Sequence, residues 1–177
     1  PTTITKYLLL YLQYSALQIL KKGDFVIFTC EKNKLAEALS NVQKAVSQKS
    51  PIPALEGILL SASESKLKLC GYNMELGITT SIPASVEEDG KIVLNARLFT
   101  EIVRKLPDEE IEVQISDDLS AKIISGKSNF ELMGINADEF PSLPEVDGEN
   151  FLELPVSCIK SMIKQTIFAV SENDSKP

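Results

Sequence analysis

The side chains with the clearest capacity for chemistry are three runs of acids: Glu87-Glu88-Asp89, Asp108-Glu109-Glu110 and Asp117-Asp118. Paired carboxylates of this kind hold Mg²⁺ for phosphoryl transfer. Each run falls where the chain needs a turn, and solvated turn acids are the commoner use of these residues. A metal-dependent nuclease is therefore a rival reading rather than the main one. The 177 residues include no histidine, which removes Ser-His and Cys-His catalysis and the common zinc sites. Cys30, Cys70 and Cys158 are odd in number, far apart and in no CxxC pair. They read as reduced thiols of a cytosolic protein. There is no GxGxxG or GxxxxGK loop. Asn173-Asp174-Ser175 matches a glycosylation sequon, a chance match in a cytosolic chain. No catalytic residue, metal site or cofactor is expected.

The net charge is −7, which argues against a generic nucleic-acid binder. Its distribution tells a different story. Residues 31–49 hold Lys32, Lys34, Lys44 and Lys49 against Glu31 and Glu37. Residues 97–105 hold Arg97, Arg104 and Lys105 against Glu101, and residues 156–170 hold Lys160 and Lys164 with no acid. Each window nets +2, so the rest of the chain carries −13. All three windows are expected helices. Basic charge thus sits on helices, and acidic charge on strands and turns. Such a split suits a two-sided object. The plain alternative is that Lys and Arg are good helix formers and Asp is a turn residue.

The elements that must position these charges follow from periodicity. Residues 26–31 alternate as a strand. Leu35, Leu39, Val42 and Val46 then form one helical stripe, with Lys34, Asn41, Lys44 and Gln48 opposite. Pro51 and Pro53 end that helix. Residues 57–63, 66–71 and 75–82 read as strands, Glu87 to Gly90 as a turn, and 91–95 as a strand. A second helix is expected over 96–106. It turns Phe99, Ile102, Val103 and Leu106 inward and Arg97, Glu101 and Arg104 outward. Strands at 110–115, 121–125 and 127–133 complete the pattern. The class is α+β, an antiparallel sheet with two helices per domain packed on one side.

The strand-and-helix unit at 28–47 recurs at 152–171. Phe28 meets Leu152, Cys30 meets Leu154, Leu35 meets Ile159, Leu39 meets Ile163 and Val46 meets Val170, an offset of 124 residues. Solenoid repeats recur every ~20–50 residues, so this offset fits a domain repeated in tandem. Residues 138–148 are rich in proline and acid without periodicity. The expected organisation is a first domain at 25–141, a linker at 142–149, and a truncated second domain at 150–177 too short to fold alone. Residues 1–24 contain an apolar run from Tyr7 to Leu20, shorter than the ~20 residues of a membrane helix. That segment reads as a leader foreign to the domain. The codons of Lys21-Lys22-Gly23-Asp24 could be ribosome-site-like and Val26 a start.

From about Phe25 onward the chain resembles the bacterial sliding clamp, the β subunit of DNA polymerase III. The resemblance is carried by Phe28-Thr29-Cys30-Glu31 with Leu35, and by Ser50-Pro51-Ile52-Pro53-Ala54-Leu55 leading into Gly57-Ile58-Leu59-Leu60. Asn95-Ala96-Arg97 with Leu106-Pro107, then Ser125-Gly126-Lys127-Ser128-Asn129-Phe130, and last Asp138-Glu139-Phe140-Pro141 complete it. Asn73 stands where the family usually has aspartate, and Lys49 where arginine is common.

The resemblance implies the DNA-clamp fold: a homodimeric ring of six similar domains, helices lining the hole and acidic sheets outside. It implies an accessory subunit rather than an enzyme, cytoplasmic and not membrane-bound. Its implied partners are double-stranded DNA, a second copy of itself, and, through later domains, the clamp loader and DNA polymerases. Lys49, Arg97 and Asn173 are the implied DNA contacts, followed by Arg104, Lys160 and Lys164. Lys127, Asn129, Phe130 and Leu132 on an edge strand, with Leu98, are the implied dimer interface; an exposed edge needs a cover. An α+β protein-interaction module and the nuclease remain the rivals.

Overall fold

A computed structural model describes residues 26–107, 109–144 and 152–170. The expected leader, Asp108, most of the expected linker and Asn173 lie outside the described residues. The chain divides into two compact units, Pro1–Leu143 and Pro144–Pro177.

The first unit opens with β1 (Val26–Glu31) and α1 (Lys32–Val42). Leu35, Ala38, Leu39 and Val42 are the buried stripe of α1. The helix stops earlier than the prolines require: a 3-10 turn follows at Gln43–Ala45 and Val46 is extended. Val46 still packs on the core, but from outside the helix. Pro53 instead opens a 3-10 turn, Pro53–Glu56, where its missing N–H costs nothing.

Strands β2 (Gly57–Ser63), β3 (Lys66–Tyr72), β4 (Gly77–Pro83), β5 (Ser85–Glu88) and β6 (Gly90–Asn95) follow. Next come α2 (Ala96–Lys105), β7 (Glu110–Ile115), β8 (Ser120–Ser125) and β9 (Ser128–Met133). The expected turn at Glu87-Glu88 is in fact the end of β5, which pairs with β1 as an edge strand. Only Asp89 separates β5 from β6. Lys127, expected in the last strand, sits in the turn before it beside Gly126, whose φ is 55°.

The strands form two antiparallel sheets rather than one. Their orders are β5-β1-β7-β8-β9 and β4-β3-β2-β6. The inner faces of both sheets and the apolar stripes of α1 and α2 share one core, centred on Phe28, Leu39, Leu69, Leu94, Phe99 and Val113. A smaller cluster lies on the other face of the four-stranded sheet. There Ala54, Leu55, Cys70, Tyr72 and Val93 are covered by Phe140, with Leu143 packed alongside. Part of the stretch whose composition marks it as a connector is therefore anchored to the sheet.

The charge split differs between the sheets. Glu31, Glu110, Glu112 and Glu131 lie on the outward face of the five-stranded sheet, with Lys122 among them. The four strands of the other sheet contain no acid at all. The expectation of acidic sheets holds for one sheet and fails for the other.

Gly71 sets the distance between α1 and β3. A Cβ there would lie 2.6 Å from the Val42 carbonyl oxygen and 2.9 Å from Val42 Cγ1. Neither is the end of a flexible chain, so α1 has to move outward. Gly71→Ala is expected to lower unfolding free energy by about 1–3 kcal/mol, read as a lower urea midpoint; an unchanged midpoint would contradict this packing.

In the second unit, residues 152–155 precede α3 without regular structure, α3 spans Val156–Thr166 and a 3-10 turn covers Ile167–Ala169. Shifting α1 and its trailing turn by 124 residues lands on these bounds, Lys32 on Val156 and Ala45 on Ala169. The counterparts of buried Leu35, Ala38 and Leu39 are Ile159, Met162 and Ile163, all exposed. The same local sequence signals build the same local structure, and among the described residues of the second unit no strand accompanies it.

The cysteines separate by burial. Cys30 and Cys70 are buried and Cys158 is exposed; burial pushes the Cys30 thiol up to about 12. Iodoacetamide at pH 8 is expected to label Cys158 in the native chain and the other two only after denaturation. Native labelling of Cys30 detected by peptide mapping would contradict the core assignment.

Candidate nucleic-acid interface

Three basic residues converge in the first unit. The 3-10 turn after α1, the loop that follows it and the start of α2 enclose an open groove of about 720 Å³, with the carboxylate of Glu56 also on its lining. Lys44, Lys49 and Arg97 line it, with Gln43, Gln48 and Asn95. Lys49 and Arg97 are exposed and come from segments far apart in sequence.

Local bonds fix both supports. The Asn95 side chain accepts the Leu98 N–H at 3.0 Å, capping α2 and orienting its first turn. In the loop, the Ser47 N–H donates to the Leu55 carbonyl at 3.1 Å. The Ser50 N–H donates to Glu56 Oε1 at 3.1 Å, and the Ile52 N–H to Ser50 Oγ at 3.1 Å. Lys49 thus rides on a tied loop. Arg97 Nε pairs with Glu101 Oε1 at 3.2 Å, both side chains largely in water. Such a pair is weak and salt-screened, so a phosphate can take the guanidinium.

Not every lysine of the first basic window is available. Lys32 Nζ donates to the Leu106 carbonyl, satisfying the end of α2. Lys34 pairs with Glu31 at 2.8 Å. Counting charge in a window hides these internal uses; Lys44 and Lys49 are the residues left facing the groove. Lys44, Gln43, Gln48 and Asn95 are not among the DNA contacts expected from the sequence. Lys44 and Gln48 carry a usable signal, since the sequence places both on the polar side of the first helical stripe, and Asn95 stands in a motif that carries the resemblance. Gln43 carries none.

Arg104 is exposed on the outer face of α2 with Arg97 and Glu101. Lys160 and Lys164 are exposed on α3, in the second unit. Asn173 lies outside the described residues.

The acid runs are used structurally where they are described. Asp118 Oδ1 accepts the Ser116 hydroxyl at 2.6 Å and the Ser120 N–H at 3.1 Å. The Ser116 bond first, then Ser120, hold its carboxyl below the usual carboxylate range. Glu110 is in β7, paired with Glu31. Among the described residues no three metal-ligating side chains converge.

The candidate interface strand β9 is the outer edge of the five-stranded sheet. Phe130 and Leu132 pair with Ile123 and Ala121 and so share the core face. Leu132 packs on the core, whereas Phe130 remains 42% exposed at the rim. Asn129 and Lys127 are exposed, and Leu98 is 49% exposed on α2.

Residues 26–144 match the family model described as DNA polymerase III beta subunit, N-terminal domain. The chain belongs to this family. Curated DNA polymerase III beta relatives include the Beta sliding clamp of Bacillus subtilis strain 168. It is 37% identical over 158 residues, which is 85% of this chain and 42% of that protein. The Beta sliding clamp of Staphylococcus epidermidis is 34% identical over the same length and coverage. Among solved members, the DNA polymerase sliding clamp from Bacillus subtilis superposes with a TM-score of 0.82 at 37% identity, covering 86% of this chain and 42% of that one. The beta subunit from DNA polymerase of Streptococcus pyogenes gives 0.80 at 33% identity, covering 85% and 41%. The chain thus spans about two fifths of the length of these relatives. The clamp-type α+β fold expected from the sequence is the fold observed. Among the described residues no helix is long and apolar enough to cross a membrane.

Proposed function

We propose that this chain is the first domain and the beginning of the second domain of a bacterial DNA sliding clamp, an accessory subunit that tethers the replicative polymerase to duplex DNA. The observation that carries the reading is the groove in which Lys49 and Arg97 meet at the helix ends of a DNA polymerase III beta domain. Exposed cations suit phosphate contacts that carry no sequence information. A ring held by topology needs no more than that. Mobile contacts let it slide, and a tethered polymerase gains effective concentration at the primer end.

The domain limits proposed are 25–141, with a linker at 142–149 and a second domain from 150. The agreement of α3 with α1 at an offset of 124 residues supports the tandem arrangement. So does the exposed apolar face of α3, which a second sheet would cover. At that offset Asn173 would stand where Lys49 does, Lys160 and Lys164 would add contacts at the positions of Ala36 and Ser40, and Arg104 would extend the α2 row. The dimer interface proposed is the β9 edge with Phe130, Leu132, Asn129 and Lys127, together with Leu98. Partners are duplex DNA, a second copy, and the loader and polymerases of a bacterial cytoplasm.

Single-encounter primer extension tests the tethering. The full-length protein, with a clamp loader, ATP and its polymerase, is expected to lengthen the products made in one binding event. Product lengths unchanged by the protein would count against it. Cleavage of the template that a chelator abolishes would favour the nuclease instead.

A further inference from the structure

The outward face of the four-stranded sheet carries charge that the helix groove does not use. Lys68 on β3 and Lys91 on β6 both pair with Ser61 on β2, so one row across the sheet runs Lys, Ser, Lys. Two inter-strand spacings separate the lysine Cα atoms by roughly 10 Å. Lys66 faces the same way two residues earlier on β3. None of the three forms an ion pair among the described residues. An uncompensated basic face on a chain of net charge −7 contrasts with the glutamates on the other sheet.

Beside this row the surface is concave and apolar. Leu59 and Cys70 form a floor, and Phe140, Pro141 and Leu143 a wall, around a groove of about 570 Å³ that also takes in Lys68 and Lys91. Asp138 stands on the wall side. The groove lies across the sheet from α1 and α2, whose stripes pack on the opposite face.

We propose that this groove docks an extended peptide of a partner protein, with carboxylates three residues apart and apolar side chains between them. In the polyproline II form of an extended chain, residues i and i+3 lie on one face and about 9 Å apart, which matches the lysine row. The two intervening side chains turn to either side, one of them toward the Leu59 and Phe140 surface. A nucleic-acid strand fits less well: its phosphates want a continuous basic track, whereas this row ends against an apolar wall bearing Asp138. The inference rests on the geometry of the first unit and not on the ring.

The test uses the full-length protein and fluorescence anisotropy with a fluorescein-labelled octapeptide, EDEILEDE. Controls are the charge-reversed KKKILKKK and a 12-nucleotide single-stranded DNA. The acidic peptide is expected to bind and the controls not to. Lys68→Glu with Lys91→Glu is expected to weaken binding roughly tenfold or more. Ser61→Glu, which puts a competing carboxylate between the lysines, is expected to do the same without touching either lysine. Unchanged circular dichroism and urea midpoints separate these effects from unfolding. Binding that survives both variants, no binding of the acidic peptide, or preference of this face for the oligonucleotide would overturn the proposal.

Discussion

Alanine at both Lys49 and Arg97 is expected to flatten the salt dependence of DNA association by the full-length protein. Each phosphate contact contributes about 0.9 to the slope of log K against log salt, so the loss is about 1.8. At low salt, affinity falls roughly tenfold or more. Both side chains are exposed and line one groove, and among the described residues the only ion pair broken is the exposed one from Arg97 to Glu101. Stability is therefore expected to stay within about 0.5 kcal/mol. On the proposed reading, in which topology rather than charge holds a closed ring, retention on closed circles is expected to persist. A salt slope unchanged in the double variant would remove these residues from the DNA interface.

The second large effect is expected at the β9 edge. Phe130→Arg replaces an apolar rim side chain, 42% exposed, by a charge. Removing a buried aromatic anchor from an interface commonly costs 2 kcal/mol or more, and burying an unpaired charge adds to that. The dimer proposed for the full-length protein is expected to dissociate roughly 100-fold more readily in sedimentation equilibrium. Leu132 is a poorer probe because it packs on the domain core, so its loss would mix folding with association. An unaltered dimer constant for Phe130→Arg would move the interface elsewhere.

Local periodicity made most elements legible. Phe99, Val103 and Leu106 are buried, and Arg97, Glu101 and Arg104 exposed, as the α2 stripe requires. The strict alternation of β7 is matched by its burial. What periodicity could not provide was non-local. Strand β5 is polar because it is an edge strand, and its pairing with β1 overrides a turn-like composition. The division into two sheets depends on β1 meeting β7 and β2 meeting β6, pairings that no local window contains. Val46 fits a helical stripe and packs on the core, yet from an extended backbone. Phe140 and Leu143 were hidden in a stretch whose prolines and acids mimic a linker.

The candidate site shows the same boundary. Periodicity placed Arg97 on an outward helix face, charge put Lys49 in the first basic window, and the family resemblance singled both out. Their convergence on one groove comes from tertiary packing of α1 against α2. The windowed charge count could not see that Lys32 is bound to the Leu106 carbonyl and Lys34 to Glu31. Nor could it see that the acid-free strands β2, β3, β4 and β6 gather three lysines on one side.

In the proposed function DNA is held by topology. The direct measurement loads the full-length protein onto nicked circular DNA with a clamp loader and ATP, linearises half of the sample, and compares what stays bound at moderate salt. Retention on circles with loss from linear molecules is the predicted result. Equal retention on both, with the loader shown active on a known clamp, would mean that the basic groove holds DNA by contact alone and would contradict the ring.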